Sequence, residues 1–369
     1  MDLENKIALS MTAGINAEVV RRMDEAGVSI EDFFNLDTAA LSNALGLGHG
    51  VRFERAARDE ARIRARREVE FMDKHKIDAL FINDDDYPFM LRETPDAPVL
   101  LYCLGNHDFN CEHIINIVGT RKCTQYGSGW CHKVIEELAA YFPDLTVVSG
   151  LAYGIDGEAH KAALENNVRT VAVVAHGLDT IYPSGNRDLA RRIVREGGAI
   201  ISEYPSGTTA YPQRFLERNR IVAGLCEMTV VVESPVKGGA MNTANTAFGY
   251  GRDVGALPGR VSDVTSGGCN QLIRKNKATL ITCAADVIEL LGWRPAGIRV
   301  ESRQRNLFPE LTGDSSRIYE TLKFEAEPLS VDALHIQTGL PVPSLMSSLT
   351  ELEFDGIIIR LPGNRYTIS

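Results

Sequence analysis

The stretch "INIVGTRKCTQYG", Ile115 to Gly127, decides the fold. Its opening residues are rich in Ile and Val, the composition of a buried strand. The strand pattern stops at Gly119, a small basic turn follows, and from Gly127 to Phe142 the apolar residues take helical spacing. Strand, turn and helix in that order open a doubly wound sheet. The same transition recurs down the chain. Val/Ile-rich runs return at "LTVVSG", "RTVAVVA", "GAIISE", "EMTVVVE", "DVGAL" and "ATLIT". Amphipathic stretches separate them at Gly157 to Asn166, Arg187 to Arg195, Arg214 to Gly224 and Asn242 to Gly251. This alternation predicts an α/β fold, an extended Rossmann-like, mainly parallel sheet with helices on both faces. In such sheets ligands sit where carboxyl ends of strands lead into helix N-termini, so the loops after the apolar runs are the functional ones.

Each of those loops combines small residues with hydrogen-bond donors. After the first run, Gly119 admits a close backbone approach, Thr120 offers a hydroxyl and Arg121 a forked donor suited to phosphate. Ser149, Gly150 and Gly154 shape the second loop, and Asp156 is placed to cap the helix that follows, as Asn186 is after the third. The fourth loop leads into "RNR", Arg218, Asn219 and Arg220, with the aromatic residues Tyr211 and Phe215 beside it. The fifth sets Lys237 next to the glycine pair Gly238 and Gly239. Converging on one sheet edge, these loops predict an anion pocket. The net charge of −10 means that any nucleic acid must be held by such a local pocket rather than by the overall field.

A dinucleotide cofactor would require GxGxxG after the first strand and an acid ~20 residues on. After Val118 the spacing is Gly-Thr-Arg, and the next glycine is Gly127. The string "GYGRDVG" precedes a strand rather than following one, and no GxxxxGK[ST] loop exists. No cofactor is expected. Asp156, His160, His176 and Asp179 are the candidates for catalysis, but HExxH, GxSxG and paired-histidine spacings are all missing. They read as helix capping and packed histidines, so no catalytic or metal-binding residue is expected. The seven cysteines are scattered without a CxxC pair, which fits a reducing cytoplasm. No apolar run is long enough for a bilayer, so no membrane association is expected.

The flanks differ from the centre. Residues 1–78 read as a small helical domain, of the SAM or helix-hairpin-helix kind, with a phosphate-facing turn at "LGLGHG", Leu45 to Gly50. From Arg52 to Arg67 it carries seven arginines against three acids, read as a solvated helix face with internal ion pairs. The sheet domain spans 79–295 and a polar, proline-bearing linker 296–313. Residues 314–369 give three helical patterns and a hairpin around a Gly-Asn turn, the order of a winged helix. Residues 310–369 hold nine acids and four bases, and the helix "PVPSLMSSLTELEF" has no lysine or arginine. A helix that reads a DNA groove needs cations, so this domain is expected to contact protein or to regulate.

Read in order, "YPFML…PVLLYCLG", "IVGTR…YG", "VVSGLAYGIDGEAH", "GLDTIYPSGN", "SEYPSG", "RNRIVAG" and "LPG…GCNQLI" resemble DNA-processing protein A, the DprA or Smf family. The resemblance implies a non-enzymatic recombination mediator that binds and protects single-stranded DNA, self-associates as a homodimer, and loads the RecA recombinase during natural transformation. It implies a DNA-binding role for Gly119, Thr120, Arg121, Arg218, Asn219 and Arg220, with Lys237 to Gly239 as neighbours. The chain departs from the family pattern at Leu216, where proline is usual, and at "KGGAMNTA". A second reading is a Rossmann-like nucleotide hydrolase, related to enzymes that act on nucleoside monophosphates. Their PGGxGTxxE loop has no counterpart here.

Overall fold

The computed structural model describes residues 2–46, 53–106, 108–294, 313–324, 328–354, 357–361 and 365–368. These belong to two units, Met1–Gly297 and Ile298–Ser369.

Side-chain caps start the first helices. After α1 (Asp2–Met11), Asn16 caps α2 (Ala17–Glu25), a Ser29–Asp32 capping box starts α3 (Ile30–Asn35), and Asp37 accepts two amides at the head of α4 (Thr38–Ala44). The long α5 (Arg55–His75) carries most of the arginine run, and three of its arginines serve the fold. Arg58 is fully buried, donating to the Phe33 carbonyl and, at 2.8 Å, to that of Leu36, which satisfies the end of α3. Arg62 lies over the Phe34 ring and Arg66 pairs with Glu4. The turn expected at Leu45 to Gly50, the linker 296–313 and the terminal Gly-Asn turn lie wholly or mostly outside the described residues.

The sheet follows: β1 (Ile77–Phe81), α6 (Phe89–Arg92), β2 (Leu100–Gly105), β3 (Ile114–Gly119), α7 (Gln125–Tyr141), β4 (Thr146–Ser149), α8 (Ile155–Glu165), β5 (Arg169–Val173), α9 (Arg187–Arg195), β6 (Ala199–Ser202), α10 (Pro212–Gly224), β7 (Met228–Val232), α11 (Gly239–Gly249), β8 (Asp253–Ala256), α12 (Gly267–Arg274), β9 (Thr279–Leu280) and α13 (Ala284–Leu291). Spatial order is β1-β2-β6-β5-β4-β3-β7-β8-β9. The strands from β6 to β9 in that order pair in parallel, whereas β1 and β2 form an antiparallel ribbon on the β6 edge. The expected doubly wound sheet is thus present, with two antiparallel strands that the apolar-run pattern did not mark.

Alternation along β3 sends its side chains to opposite faces. Ile115 and Ile117 join the apolar layer under α7 and α8, while Ile114 and Val118 join a layer that runs from the N-terminal helices to α11. On that second face the buried Asn116 donates to the Val222 carbonyl at 3.0 Å and to Thr229 Oγ1 at 2.8 Å, tying α10 to the sheet. The N-terminal helices share this layer, and Glu68 of α5 accepts both the amide and the hydroxyl of Ser206 in the β6–α10 loop, at 2.9 and 2.6 Å.

The second unit contains α14 (Gly313–Phe324), β10 (Leu329–Ser330), α15 (Val331–Thr338), α16 (Val342–Phe354), β11 (Ile358–Leu361) and β12 (Arg365–Ile368). It is a winged helix with its own apolar core around Ile318, Leu334, Leu345 and Tyr366. β10 adds a third strand to the expected hairpin by pairing with β12.

Candidate nucleic-acid interface

The carboxyl ends of β3, β4 and β7 and the faces of α10 and α11 enclose a cleft of about 610 Å³. Gly119, Thr120, Arg121, Gly150, Phe215, Arg218, Asn219, Gly238 and Gly239 all line it. Sequence reasoning placed no weight on Lys122, Tyr182 or Thr243, which line it too; Lys122, next to Arg121 in the basic turn, was the legible one. Ser149, Gly154, Lys237 and Arg220 do not line the cleft, each for a different reason.

Backbone demands account for two glycines. A Cβ on Gly119 would lie 2.0 Å from the Val232 carbonyl oxygen and 2.6 Å from Ile155, so the close approach it permits is to the neighbouring strand. Gly154, at φ +76, takes a left-handed turn in which a Cβ would sit 2.2 Å from the Thr120 carbonyl oxygen. That turn brings the β4–α8 loop against the β3–α7 loop, where Ile155 N–H donates to Thr120 at 3.2 Å. Ser149 is buried and donates to the Ile117 carbonyl at 2.6 Å, a bond within the sheet.

Asp156 does not cap α8. Gly154 occupies the N-cap, Asp156 makes no capping bond, and its buried carboxylate faces the Arg218 guanidinium and the backbone amides of Ala152, Gly119 and Gly150. Burial raises its pKa, against the opposing pull of Arg218 and those amides. Asn186 also spends its side chain elsewhere: Nδ2 donates to the carbonyls of Leu151 and Ala152 at 2.9 and 3.2 Å. Both polar residues fasten loops to each other.

The two arginines of "RNR" part ways. Arg218, only 4% exposed, forms the cleft floor and donates to the carbonyls of Gly150, at 2.8 Å, and Val173. Arg220 turns away from the cleft. It pairs with the largely buried Glu203 and lines a separate cavity with Ser10, Asp96 and Pro98. Asn219 stays on the cleft side, 3.5 Å from Asn242 Oδ1.

Exposed cations supply the positive rim. Arg121 lies over the face of Phe215, 5.4 Å from its centroid, and Phe215 in turn packs against Tyr182 at 5.6 Å. Phe215 is half-buried on the cleft wall and belongs to none of the apolar core clusters. Tyr211 stands exposed at the mouth. Neither Arg121 nor Lys122 forms an ion pair among the described residues, and Lys237 is likewise exposed and unpaired just beyond the rim. Gly238 and Gly239 open the N-terminus of α11 into the cleft; the Gly238 amide donates to the Pro235 carbonyl at 2.8 Å, which leaves the first-turn amides from Gly239 onward for an anion.

The remaining catalytic candidates are packed. His160 is fully buried and its pKa falls to about 3 through burial. The Thr170 hydroxyl donates to Val147 O at 2.7 Å, so His160 Nδ1, also 2.7 Å away, must be the donor of their shared bond. His176 accepts the Tyr182 amide on Nε2, and Asp179 accepts that of Gly207. Elsewhere Glu112, His113 and Asp144 bring potential metal ligands within 4.8 Å, at the amino ends of β3 and β4. His113 is already paired with Asp144 at 2.8 Å and packed between Phe142 and Trp293.

Comparison with known proteins gives this geometry its context. The family model described as "DNA recombination-mediator protein A" matches residues 78–292, and that of the "DprA winged helix domain" matches 305–364. "Protein Smf" of Synechocystis is 31% identical over 98% of this chain and 97% of its own length. "DNA processing protein DprA" of Streptococcus pneumoniae is 41% identical over 58% of this chain and 74% of its own. The solved S. pneumoniae DprA structure superposes with a TM-score of 0.65 at 33% identity, covering 78% of this chain and 97% of that one. A Helicobacter pylori DprA structure, reported for its single-stranded DNA binding mode, gives 0.53 at 29% identity, over 58% and 95%.

Proposed function

The chain belongs to the DNA recombination-mediator protein A family, and on that premise we propose that its cleft binds single-stranded DNA in the course of recombination. One observation carries the reading: the unpaired Arg121 lies over the half-buried Phe215, at a rim where the α11 amides also open. A single strand exposes phosphates and base faces, and its binders meet them with cations, amides and aromatic platforms. Arg121 and Lys122 take the phosphates; Phe215 and Tyr211 take the bases. Arg218 holds the strand ends in place beneath them.

The reading is of a non-catalytic mediator. The buried Asp156, His160 and His176 are engaged in holding loops and helices, which supports that part of it. The resemblance further supports protection of incoming DNA in natural transformation, RecA as a partner, and a homodimer. Among the described residues no helix is long and apolar enough to cross a membrane.

Gel-shift comparison of single and double strands tests the assignment, with Arg121→Glu as the decisive variant. Wild type is expected to prefer the single strand, and the variant to bind it at least ~10-fold more weakly with an unchanged fold. Equal affinity of variant and wild type would remove the cleft from consideration.

A further inference from the structure

We propose that a second nucleotide subsite adjoins the cleft, in which Tyr126 stacks a base and Arg260 takes a phosphate. The proposal rests on the reading of the first cleft as a single-strand site. Its basis is a separate cavity of about 800 Å³, lined by Thr124, Gln125, Tyr126, Glu233, Arg260 and Thr265 among others.

The two cavities share their walls. The β3–α7 loop turns Thr120, Arg121 and Lys122 into the first and, two residues later, Thr124 and the opening residues of α7, Gln125 and Tyr126, line the second. The segment after β7 does the same, with Glu233 on one side and Ser234, Pro235 and Gly238 on the other. A strand leaving the first cleft therefore has only a short loop to cross.

Tyr126 has the properties of a platform. The residue is 53% exposed, yet its hydroxyl is fixed by a 2.9 Å bond to the Pro258 carbonyl. An exposed aromatic ring that is already held costs little further ordering when a base settles on it. Arg260 is exposed and forms no ion pair among the described residues. Arg121 and Lys122 line the first cavity and Arg260 the second, so each opening of this otherwise acidic chain carries unpaired cations. The adjacent Val261 and Val264 are 100% and 79% exposed, apolar surface that a base face can cover.

The cavity's acids do not undo this. Glu233 is 2% exposed, and its carboxylate accepts the amide and hydroxyl of Thr124 at 2.7 and 2.6 Å, within the α7 N-terminus. The subsite consequently makes no use of that helix terminus, where the Glu233 carboxylate already sits on the Thr124 cap. Asp263 is exposed and engaged by the Ser262 hydroxyl at 3.3 Å, and a phosphate must pass on the Arg260 side.

Fluorescence anisotropy with oligothymidylates of about 4 to about 20 nucleotides, bracketing the site sizes of single-strand binders, tests the idea on the full chain. Tyr126→Leu and Arg260→Glu are each expected to weaken binding of the long oligomers by about 5- to 150-fold and to leave the shortest unaffected. Tyr126→Phe, which keeps the ring and loses the hydroxyl that holds it, is expected to fall between wild type and Tyr126→Leu. Arg260→Glu is also expected to reduce the salt slope on long oligomers by ~0.7. Undiminished affinity for long oligomers in both variants would overturn the subsite, as would a loss equal at all lengths or a Phe variant as weak as the Leu variant. Arg121→Glu, run in parallel, separates the two readings: its loss at every length with the others unchanged removes the subsite alone, and its full retention removes the first cleft.

Discussion

Arg218 and Arg220 are separated by one residue on α10, and the helical repeat puts ~200° between them. Positions i and i+2 on a helix do not share a face. The spacing of "RNR" therefore already held the information that only one arginine could enter the cleft; convergence of loops was legible, but the phase of α10 was not used. Arg220 instead neutralises Glu203, whose pKa burial raises and Arg220 opposes. Arg220→Ala should cost about 3 kcal/mol by stranding that carboxylate, with DNA affinity unchanged. Chemical denaturation checks the loss, and a Glu203→Ala, Arg220→Ala double variant should recover part of it. An acid whose folded pKa is raised favours folding at low pH, so the deficit of Arg220→Ala should shrink as pH falls through that pKa.

At the scale of the element, most strands and helices were legible because each carries its apolar period in one uninterrupted run. β1 and β2 escaped because they lie at the edge of the sheet, where a ribbon of "IDALF" and "LLYCLG" reads as easily as helix. Cap positions misled in another way: Asp156 and Asn186 sit at helix starts, but tertiary partners outbid the local amides. In α8, His160 faces a cost on acidification. Its folded pKa of about 3 lies below the ordinary 6.5, so between those values the unfolded chain takes up a proton that the folded one refuses. Stability should fall by up to ~1.4 kcal/mol for each pH unit in that window, and His160→Leu should flatten the slope in urea titrations from pH 7 to 4. Ahead of α8, Gly154→Ala forces a Cβ into Thr120 and strains a left-handed turn. It should lower both stability, by at least ~1 kcal/mol, and single-strand affinity, because the loop it displaces carries Arg121.

At the scale of the molecule, charge is organised by place rather than by sum. A chain of net charge −10 keeps unpaired cations around one cleft, and its terminal winged helix offers a cation-free α16. Since that unit has its own core, deleting residues 298–369 should leave oligothymidylate affinity and its salt slope unchanged, measured by anisotropy. The bond between Glu68 and Ser206 has a wider consequence. It moors the approach to Tyr211 and Phe215 on the amino-terminal helices, so the stiffness of the cleft's aromatic wall is set in part from a segment that does not line the cleft. Evolution can retune grip there without altering a single contacting residue, and a laboratory can do the same through Glu68.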